Sequence, residues 1–517
     1  MAWLKPRIHI LEWLLVLVLL AWGLSRVPPR HTFTADSMMK WAQVEAILQT
    51  GSSLPIYPLR EIDPELKHYP LTAPNYLVRR PGHDVRIVFP VAFAWAASTW
   101  VYFAGRDGAV FLSVISFLAI LGVMRRSWKV EPPWLLFTTA CTSLLLPAID
   151  FSEAAPAAAL VTFGLTLALR SERMLAAFFG AALISLAAFV RMEALVVVAS
   201  AGLWICVPAL RHSSERKRAF AFAAGAAAFL IPLVSNTLIY GHPVGGHYWV
   251  DRAGFANVAE KLNTAWYLLI GRDQLDVFKP GFFGLTPLFG LIFLPLFSSR
   301  VRSRMAPDAR TLLFIVCTYI PVAALSAPHD GYWSWGGRYL LPVVACSVVL
   351  LDRISSLCID LPRNARIAAV AAMVVLSLYS FWTVRRGVGI VHGASETMKQ
   401  FDTACNNIQA DVLIFDNPSV ALQAGPCIFR FAHFLARDTK ELNELLPVLK
   451  LKYPGKRLAF WDAPIYALAA SIGHGIRRSP RDFDDYKESL RALGNESEVP
   501  LGLAMTARVY SIPPLTP

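Results

Sequence analysis

Apolar residues in this chain come in long unbroken runs, and short clusters of Arg and Lys separate the runs. Apolar stretches of about 17–25 residues punctuated in this way are the pattern of membrane-spanning helices. The expected spans are roughly 8–26, 107–124 and 133–149, then one returning to Arg170 and Arg173, one reaching Arg191, and one returning to Arg211. Further spans are expected at about 219–239, before Arg300, at 311–327, before Arg353, and at 367–384. That makes about eleven crossings. The apolar piece 87–104 is also long enough to cross. Counting it as a crossing would invert everything after it and put the basic clusters on the wrong side. It is therefore expected to lie along, or dip into, the outer surface.

Lys5 and Arg7 place the N-terminus in the cytoplasm, and Arg125-Arg126, Arg216-Lys217-Arg218, Arg300 to Arg304 and Arg363 to Arg366 then all fall inside. The first run, Ile8 to Leu24, leads into Arg26 and Pro28-Pro29 without a small-residue cleavage site, so it is expected to stay as an anchor. Two long loops, 28–106 and 240–280, and the tail fall on the opposite face. Within the first loop, 36–49 has the pattern of an amphipathic surface helix, and 50–85 is rich in Pro, Tyr and charge. The tail, 390–517, is polar. Val412-Leu413-Ile414-Phe415 and Leu458-Ala459-Phe460-Trp461 have the pattern of short buried strands, with helical stretches such as 438–451 and 463–472 around them. The expected architecture is an all-α polytopic membrane domain over 1–385 and a small α/β extracytoplasmic domain over 390–517.

Composition agrees. Of 517 residues, 55% are hydrophobic and only 16% charged, where a soluble protein carries about a quarter charged. The net charge of +13 lies in the inner clusters, so it gives no reason to expect nucleic acid. Cys141, Cys206, Cys317 and Cys346 lie inside apolar runs and Cys358 near the end of one, as small core residues do. Cys405 and Cys427 lie in the tail. Outside the cytoplasm they are candidates for a disulfide, which spacing alone leaves open.

The unusual polar residues share the outer face, while the span interiors are almost free of acids and bases. A channel or carrier buries charge near mid-membrane, so this asymmetry points to chemistry at the outer surface. There the chain places Asp36, Asp63, His83, Asp84, Arg86 and Asp150. Further on come Glu153, Arg191, Glu193, His242, His247, Asp330 and Arg338. Each has a plain alternative. Asp36 before an amphipathic run suits a helix cap, Asp63 before Pro64 suits a turn, Asp150 and Glu153 suit a helix start, and Arg191 with Glu193 suits a local ion pair.

The order of parts resembles a known family. One span is followed by Thr34-Ala35-Asp36-Ser37, opening a surface helix that ends Ile47-Leu48-Gln49-Thr50-Gly51. An aromatic and Pro-rich loop leads to a second surface helix ending Tyr102-Phe103-Ala104-Gly105, then many spans and an outer domain. Trp335-Gly336-Gly337-Arg338-Tyr339-Leu340-Leu341-Pro342 is similar to a W-G-x-R-(F/Y)-L-L-P signature. Together these resemble the GT-C glycosyltransferases, with the lipid A aminoarabinose transferases and protein O-mannosyltransferases as the nearest analogues. The order of parts covers most of 1–385. Only the two motifs match as letters.

The resemblance implies a glycosyltransferase that takes a hexosyl or pentosyl group from a polyprenyl-phosphate donor, with inversion. It implies a glycan, lipid or protein acceptor at the periplasmic face of a bacterial inner membrane, with the carrier lipid among the spans. Asp36 would be the general base. Arg338 and Arg191 would bind the donor phosphate, with His83 and Arg86 as further donors. Asp84, Glu153, Glu193 and His242 would orient the acceptor. Family members with a paired acidic motif have two carboxylates where this chain has Asp36-Ser37. No metal site is therefore expected, although Asp84 and Glu153 are the carboxylates that would serve a divalent cation. The competing readings are a lipid-linked sugar or polysaccharide transporter, which needs a polar path through the spans, and a non-catalytic envelope-assembly protein.

Overall fold

The computed structural model describes residues 5–31, 35–72, 76–79, 83–211, 213–246, 257–274, 277–329, 335–357, 361–462, 484–491, 493–494, 496–502 and 505–514. It divides into two compact units. One is 1–26 with 107–389, and the other is 27–106 with 390–517. The long first loop thus clusters with the tail.

The first unit is helical. Its opening helix, Lys5–Arg26, has 22 residues, about 33 Å at 1.5 Å per residue, enough to cross a hydrocarbon core. Many large apolar side chains on its helices are exposed, among them Leu14, Leu175, Phe220, Leu238 and Leu378. Lipid covers such a surface in a membrane protein. Among the described residues, five helices are long and apolar enough to cross by length and composition: Val91–Arg126, Glu215–Tyr240, Pro307–Ser326, Arg338–Leu357 and Arg363–Asn407. Four shorter apolar helices include Ala154–Arg170 and Met174–Phe189. The expected spans are more numerous because several apolar runs are broken. The run 133–149, for example, forms the helix Pro132–Cys141 and the single turn Leu145–Ala148.

Small residues set the closest packing. A Cβ on Gly164 would lie 2.5 Å from the Gly180 carbonyl oxygen, and one on Gly180 would lie 2.5 Å from that of Gly164. The helices Ala154–Arg170 and Met174–Leu186 meet backbone to backbone there, as small-residue interfaces in membranes do. Near the basic clusters two buried acids escaped the sequence reading. Glu12 lies 3.7 Å from Arg125, and Asp352 lies 3.4 Å from Arg353 while accepting the Glu131 N–H at 3.3 Å.

In the second unit the helix Ala35–Thr50 packs on the helix Val91–Ala104. The apolar piece 87–104 forms the helix Val91–Ala104, which runs on through a 3-10 stretch at Gly105–Val110 into the helix Phe111–Arg126, so that it is the first part of the long apolar stretch Val91–Arg126. A five-stranded sheet runs in the order 432–435, 412–415, 457–462, 505–511, 496–502. The first three strands are parallel, and the last two are antiparallel additions. Val412 to Phe415 are buried on both faces, as a central parallel strand requires. Asp438 caps the helix Thr439–Lys452 by accepting the Glu441 N–H at 2.8 Å, and Glu441 reaches back past the cap to accept the Arg437 N–H at 2.8 Å.

The first loop covers the edge of the sheet at 432–435. The Leu435 N–H donates to the His68 carbonyl at 2.7 Å, His68 Nδ1 sits 3.0 Å from the Leu435 carbonyl, and Arg437 donates to Thr72 Oγ1 at 3.1 Å. An edge strand paired in this way no longer offers a free ladder. Cys405 and Cys427 form a disulfide with their Cα atoms 6.2 Å apart.

Candidate functional site

The sequence candidates fall into two clusters, one in each unit. In the second unit Asp36 stands in the first turn of Ala35–Thr50, where a carboxylate also meets the positive end of the helix. Its side chain is half-buried. The Tyr76 hydroxyl donates to Asp36 Oδ1 at 2.9 Å. Tyr76 is itself fixed. Its carbonyl accepts the Val88 N–H at 3.0 Å, next to the short hairpin Leu77–Val78 with Arg86–Ile87, and its ring packs against Phe89 at 5.7 Å. One helical turn beyond Asp36, the buried Lys40 holds its ammonium 5.0 Å from the centre of the Phe89 ring. Gln43 donates to the Phe89 carbonyl at 3.0 Å. Asp36 thus sits on a helix braced at two points by the segment that carries Tyr76 and Phe89.

Sequence reasoning missed Tyr76 and Lys40. For Lys40 the signal was present, since Asp36 and Lys40 are four residues apart on one helix face. For Tyr76, 40 residues away, no local signal exists. The other candidates in this unit lie on the surface. His83 and Asp84 are exposed, Asp84 lies 3.6 Å from Arg60, and Arg86 is half-buried in the hairpin. Asp63 organises its own turn, accepting from the Tyr57 hydroxyl at 2.7 Å and from the backbone N–H groups of Lys67 and His68, each at 2.9 Å.

In the first unit the structure brings Arg191, Glu193, Glu153 and Arg338 together. Glu153 directly precedes the helix Ala154–Arg170, and Arg191 and Glu193 lie in the turn before Ala194–Arg211. The Arg191 guanidinium lies 2.6 Å from Glu193 and 3.4 Å from Glu153, with its side chain only 5% exposed. The plain expectation of a local pair is thus met and extended by a second carboxylate. Glu153 makes no side-chain cap on the helix it precedes.

Arg338 begins the 3-10 stretch Arg338–Val343 after two left-handed glycines, Gly336 at φ 84° and Gly337 at φ 67°. A Cβ at Gly337 would sit 2.7 Å from the Leu268 carbonyl oxygen, so both conformation and space call for glycine. The guanidiniums of Arg191 and Arg338 lie 5.5 Å and 5.4 Å from the centre of the Tyr339 ring. Tyr339 is fixed in turn, its carbonyl accepting the Tyr319 hydroxyl at 2.6 Å and its own hydroxyl 3.0 Å from His329 Nε2. Arg338 is half-buried where Arg191 is buried. Arg191 has its fork on two carboxylates. His242 lies apart, its Nδ1 accepting the Val244 N–H at 3.2 Å and shaping the turn after Leu230–Tyr240. His247, Asp330 and Tyr332 to Ser334 lie outside the described residues.

Two solved structures match this chain almost end to end. ArnT from Cupriavidus metallidurans bound to undecaprenyl phosphate has 12% sequence identity and a TM-score of 0.51, covering 97% of each chain. The same protein in the apo state has 12% identity and a TM-score of 0.52, covering 98% of each chain. The chain has the GT-C fold. The Archaeoglobus fulgidus oligosaccharyltransferase is a more distant likeness, with 10% identity and a TM-score of 0.46 over 94% of this chain and 73% of its own, and it carries no argument. No family model matches the sequence, and no curated protein does. The GT-C likeness therefore rests on the fold.

Proposed function

We propose that this protein transfers a sugar from a polyprenyl-phosphate donor to a cell-envelope acceptor at the periplasmic face of a bacterial inner membrane. The observation that carries this reading is the match to ArnT over 97% of both chains. That ArnT structure holds undecaprenyl phosphate, which supports a carrier of the same class here. The reading keeps about eleven crossings, several of them made from broken helices. It keeps a cytoplasmic N-terminus and places the sheet-bearing second unit in the periplasm, an oxidising compartment that suits the Cys405–Cys427 disulfide.

The chemistry is one displacement. The acceptor hydroxyl loses its proton to the Asp36 carboxylate as its oxygen bonds the anomeric carbon. The bond from that carbon to the phosphate oxygen breaks, and the polyprenyl phosphate leaves with the electron pair. The anomeric centre inverts. Arg338 takes the charge developing on the departing phosphate through its planar fork. Arg191, held by Glu153 and Glu193, braces the Tyr339 ring against which Arg338 also lies. Tyr76 fixes the rotamer of Asp36, so the base is held before substrate arrives.

The test is transfer from a polyprenyl-phosphate sugar by protein in lipid nanodiscs, followed by mass spectrometry. Asp36→Asn should lower the rate by about 10²–10⁴-fold at normal expression, the scale of general-base catalysis. Retained transfer removes Asp36 from the mechanism. Arg338→Ala should raise the KM for the donor and leave that for the acceptor. A change in acceptor kinetics alone overturns the phosphate assignment.

A further inference from the structure

The second unit contains an open cleft of about 410 Å³ that the Asp36 chemistry does not use. One wall is a single face of the helix Ala35–Thr50, formed by Trp41, Glu45 and Gln49 at successive spacings of four. Asp36 lies nine residues before Glu45, about 900° around the helix at 100° per residue, and so points to the opposite side. Arg106 forms a second wall, just beyond the end of Val91–Ala104. Phe429 and Arg430 form the third, on the turn Gly425–Arg430.

The rim is braced from one short stretch of chain, 402–406. Asp402 lies 3.0 Å from Arg106, Asn406 accepts from Arg430, and Cys405 is bonded to Cys427 within the turn. Three ties from five consecutive positions hold two walls in place. The walls of the cleft are therefore fixed before any ligand arrives.

We propose that this cleft binds sugar rings of the acceptor remote from the reacting hydroxyl, since Glu45 lies about 14 Å along the helix from Asp36 and on its other side, which makes the acceptor a glycan of several sugars. The inference rests on the glycosyltransferase reading for the word acceptor, while the sugar-binding chemistry stands on the cleft itself. Phe429 lines the cleft and is half-buried, its ring edge-to-face with His433 at 5.4 Å, and an aromatic ring is the apolar surface on which the C–H side of a pyranose packs. Glu45 accepts from Gln49 at 2.6 Å, and the carboxylate keeps further lone pairs for vicinal hydroxyls. Each arginine brings five donors in a fork. Arg106 and Arg430 are offset locally by Glu45 and Asp402, so the cleft has no large excess charge. A neutral or weakly acidic saccharide suits that balance. The mixture of polar and aromatic walls does not suit an acyl chain, and these side-chain walls offer no strand edge to a peptide.

The experiment titrates full-length protein in nanodiscs with neutral and uronic-acid-containing oligosaccharides of two to four sugars, with binding read by saturation-transfer NMR. A short acidic peptide is run beside them. At least one oligosaccharide should bind, and Phe429→Ala and Glu45→Gln should each weaken it about tenfold, with the disulfide intact by mass spectrometry. In the transfer assay the same variants should raise the acceptor KM and leave the donor KM unchanged. Binding of no oligosaccharide, equal binding by the variants, or preference for the peptide overturns the proposal. Cleft-dependent sugar binding in a protein that transfers nothing from any polyprenyl-phosphate sugar would keep the site and overturn the enzyme reading.

Discussion

Arg191 holds two carboxylates, Glu153 and Glu193, in a buried ion-pair cluster. Arg191 is 5% exposed, Glu153 at 3.4 Å is 7% exposed, and Glu193 at 2.6 Å is 19% exposed. Arg191→Met keeps an unbranched stem of similar bulk and removes the cation that both carboxylates contact. Removing one partner of a buried ion pair costs about 3–5 kcal/mol, because the remaining charge stays buried. The partial exposure of Glu193 lets water take up part of that loss, so the lower end, about 3 kcal/mol, is expected. Arg191→Lys keeps the charge without the fork and should lose roughly half as much, since an ammonium cannot serve two carboxylates in the same plane. Glu193→Gln should cost only about 1–2 kcal/mol, because Arg191 keeps Glu153 and the amide still accepts a hydrogen bond.

The assay is equilibrium unfolding in mixed detergent micelles, run on the wild type, the three single variants and the pair Arg191→Met with Glu193→Gln. Residues in one ion-pair network are not additive, so the pair should be less destabilised than the sum of its singles by about 1–3 kcal/mol. Arg191 also lies 5.5 Å from the Tyr339 ring that Arg338 approaches, so Arg191→Met should raise the donor KM as well. An Arg191→Met protein within about 0.5 kcal/mol of wild type, or an additive pair, would refute the claim that this network holds the Arg338 region in place.

Gly337→Ala should lose about 1–3 kcal/mol from its left-handed backbone alone, and the contact with the Leu268 carbonyl should displace Arg338; unchanged stability and donor KM would contradict this. The imidazole of His433 is held below its ordinary value of 6.5 by burial. The folded chain therefore favours the neutral ring, and this contribution to stability is complete above about pH 6.5 and is lost as pH falls below it, at no more than about 1.4 kcal/mol per pH unit for one proton. Hydrogen exchange of the strand at 412–415 should show an acid slope that His433→Gln removes, and equal slopes in the two proteins would rule the residue out. Serines at Cys405 and Cys427, which are 22 positions apart, should lower stability by about 3 kcal/mol on loop-closure grounds, read as a fall in the unfolding midpoint that matches reduction of the wild type.

What was legible in the sequence was local. The apolar runs and the basic clusters between them follow from one physical demand, a hydrocarbon layer that excludes charge, and that demand writes itself along the chain. The strand at 412–415 is legible for the same reason, since four consecutive buried apolar residues leave little alternative. The strand at 432–435 is not, because Ala432 and His433 dilute the run and its pairing comes from Val412 to Phe415 and from His68. The breaks inside the apolar run 133–149 were hidden because Thr142 and Ser143 read as ordinary span residues. Glu12 and Asp352 were hidden because their partner arginines had already been counted as charges that orient the chain in the membrane.

Asp36 is the case where a local reading and a distant one meet. A carboxylate in the first turn of Ala35–Thr50 needs no further purpose to be there, since the end of the helix stabilises it. A cap does not, however, call for a tyrosine hydroxyl 40 residues away on Oδ1, on a segment that also receives the Lys40 ammonium and the Gln43 amide through Phe89. The Tyr76 hydroxyl fixes the carboxylate in direction, and the Lys40 and Gln43 contacts fix the helix that carries it. The proposed base gains from that placement, because misplacement by about 1 Å can cost about 10²-fold in rate.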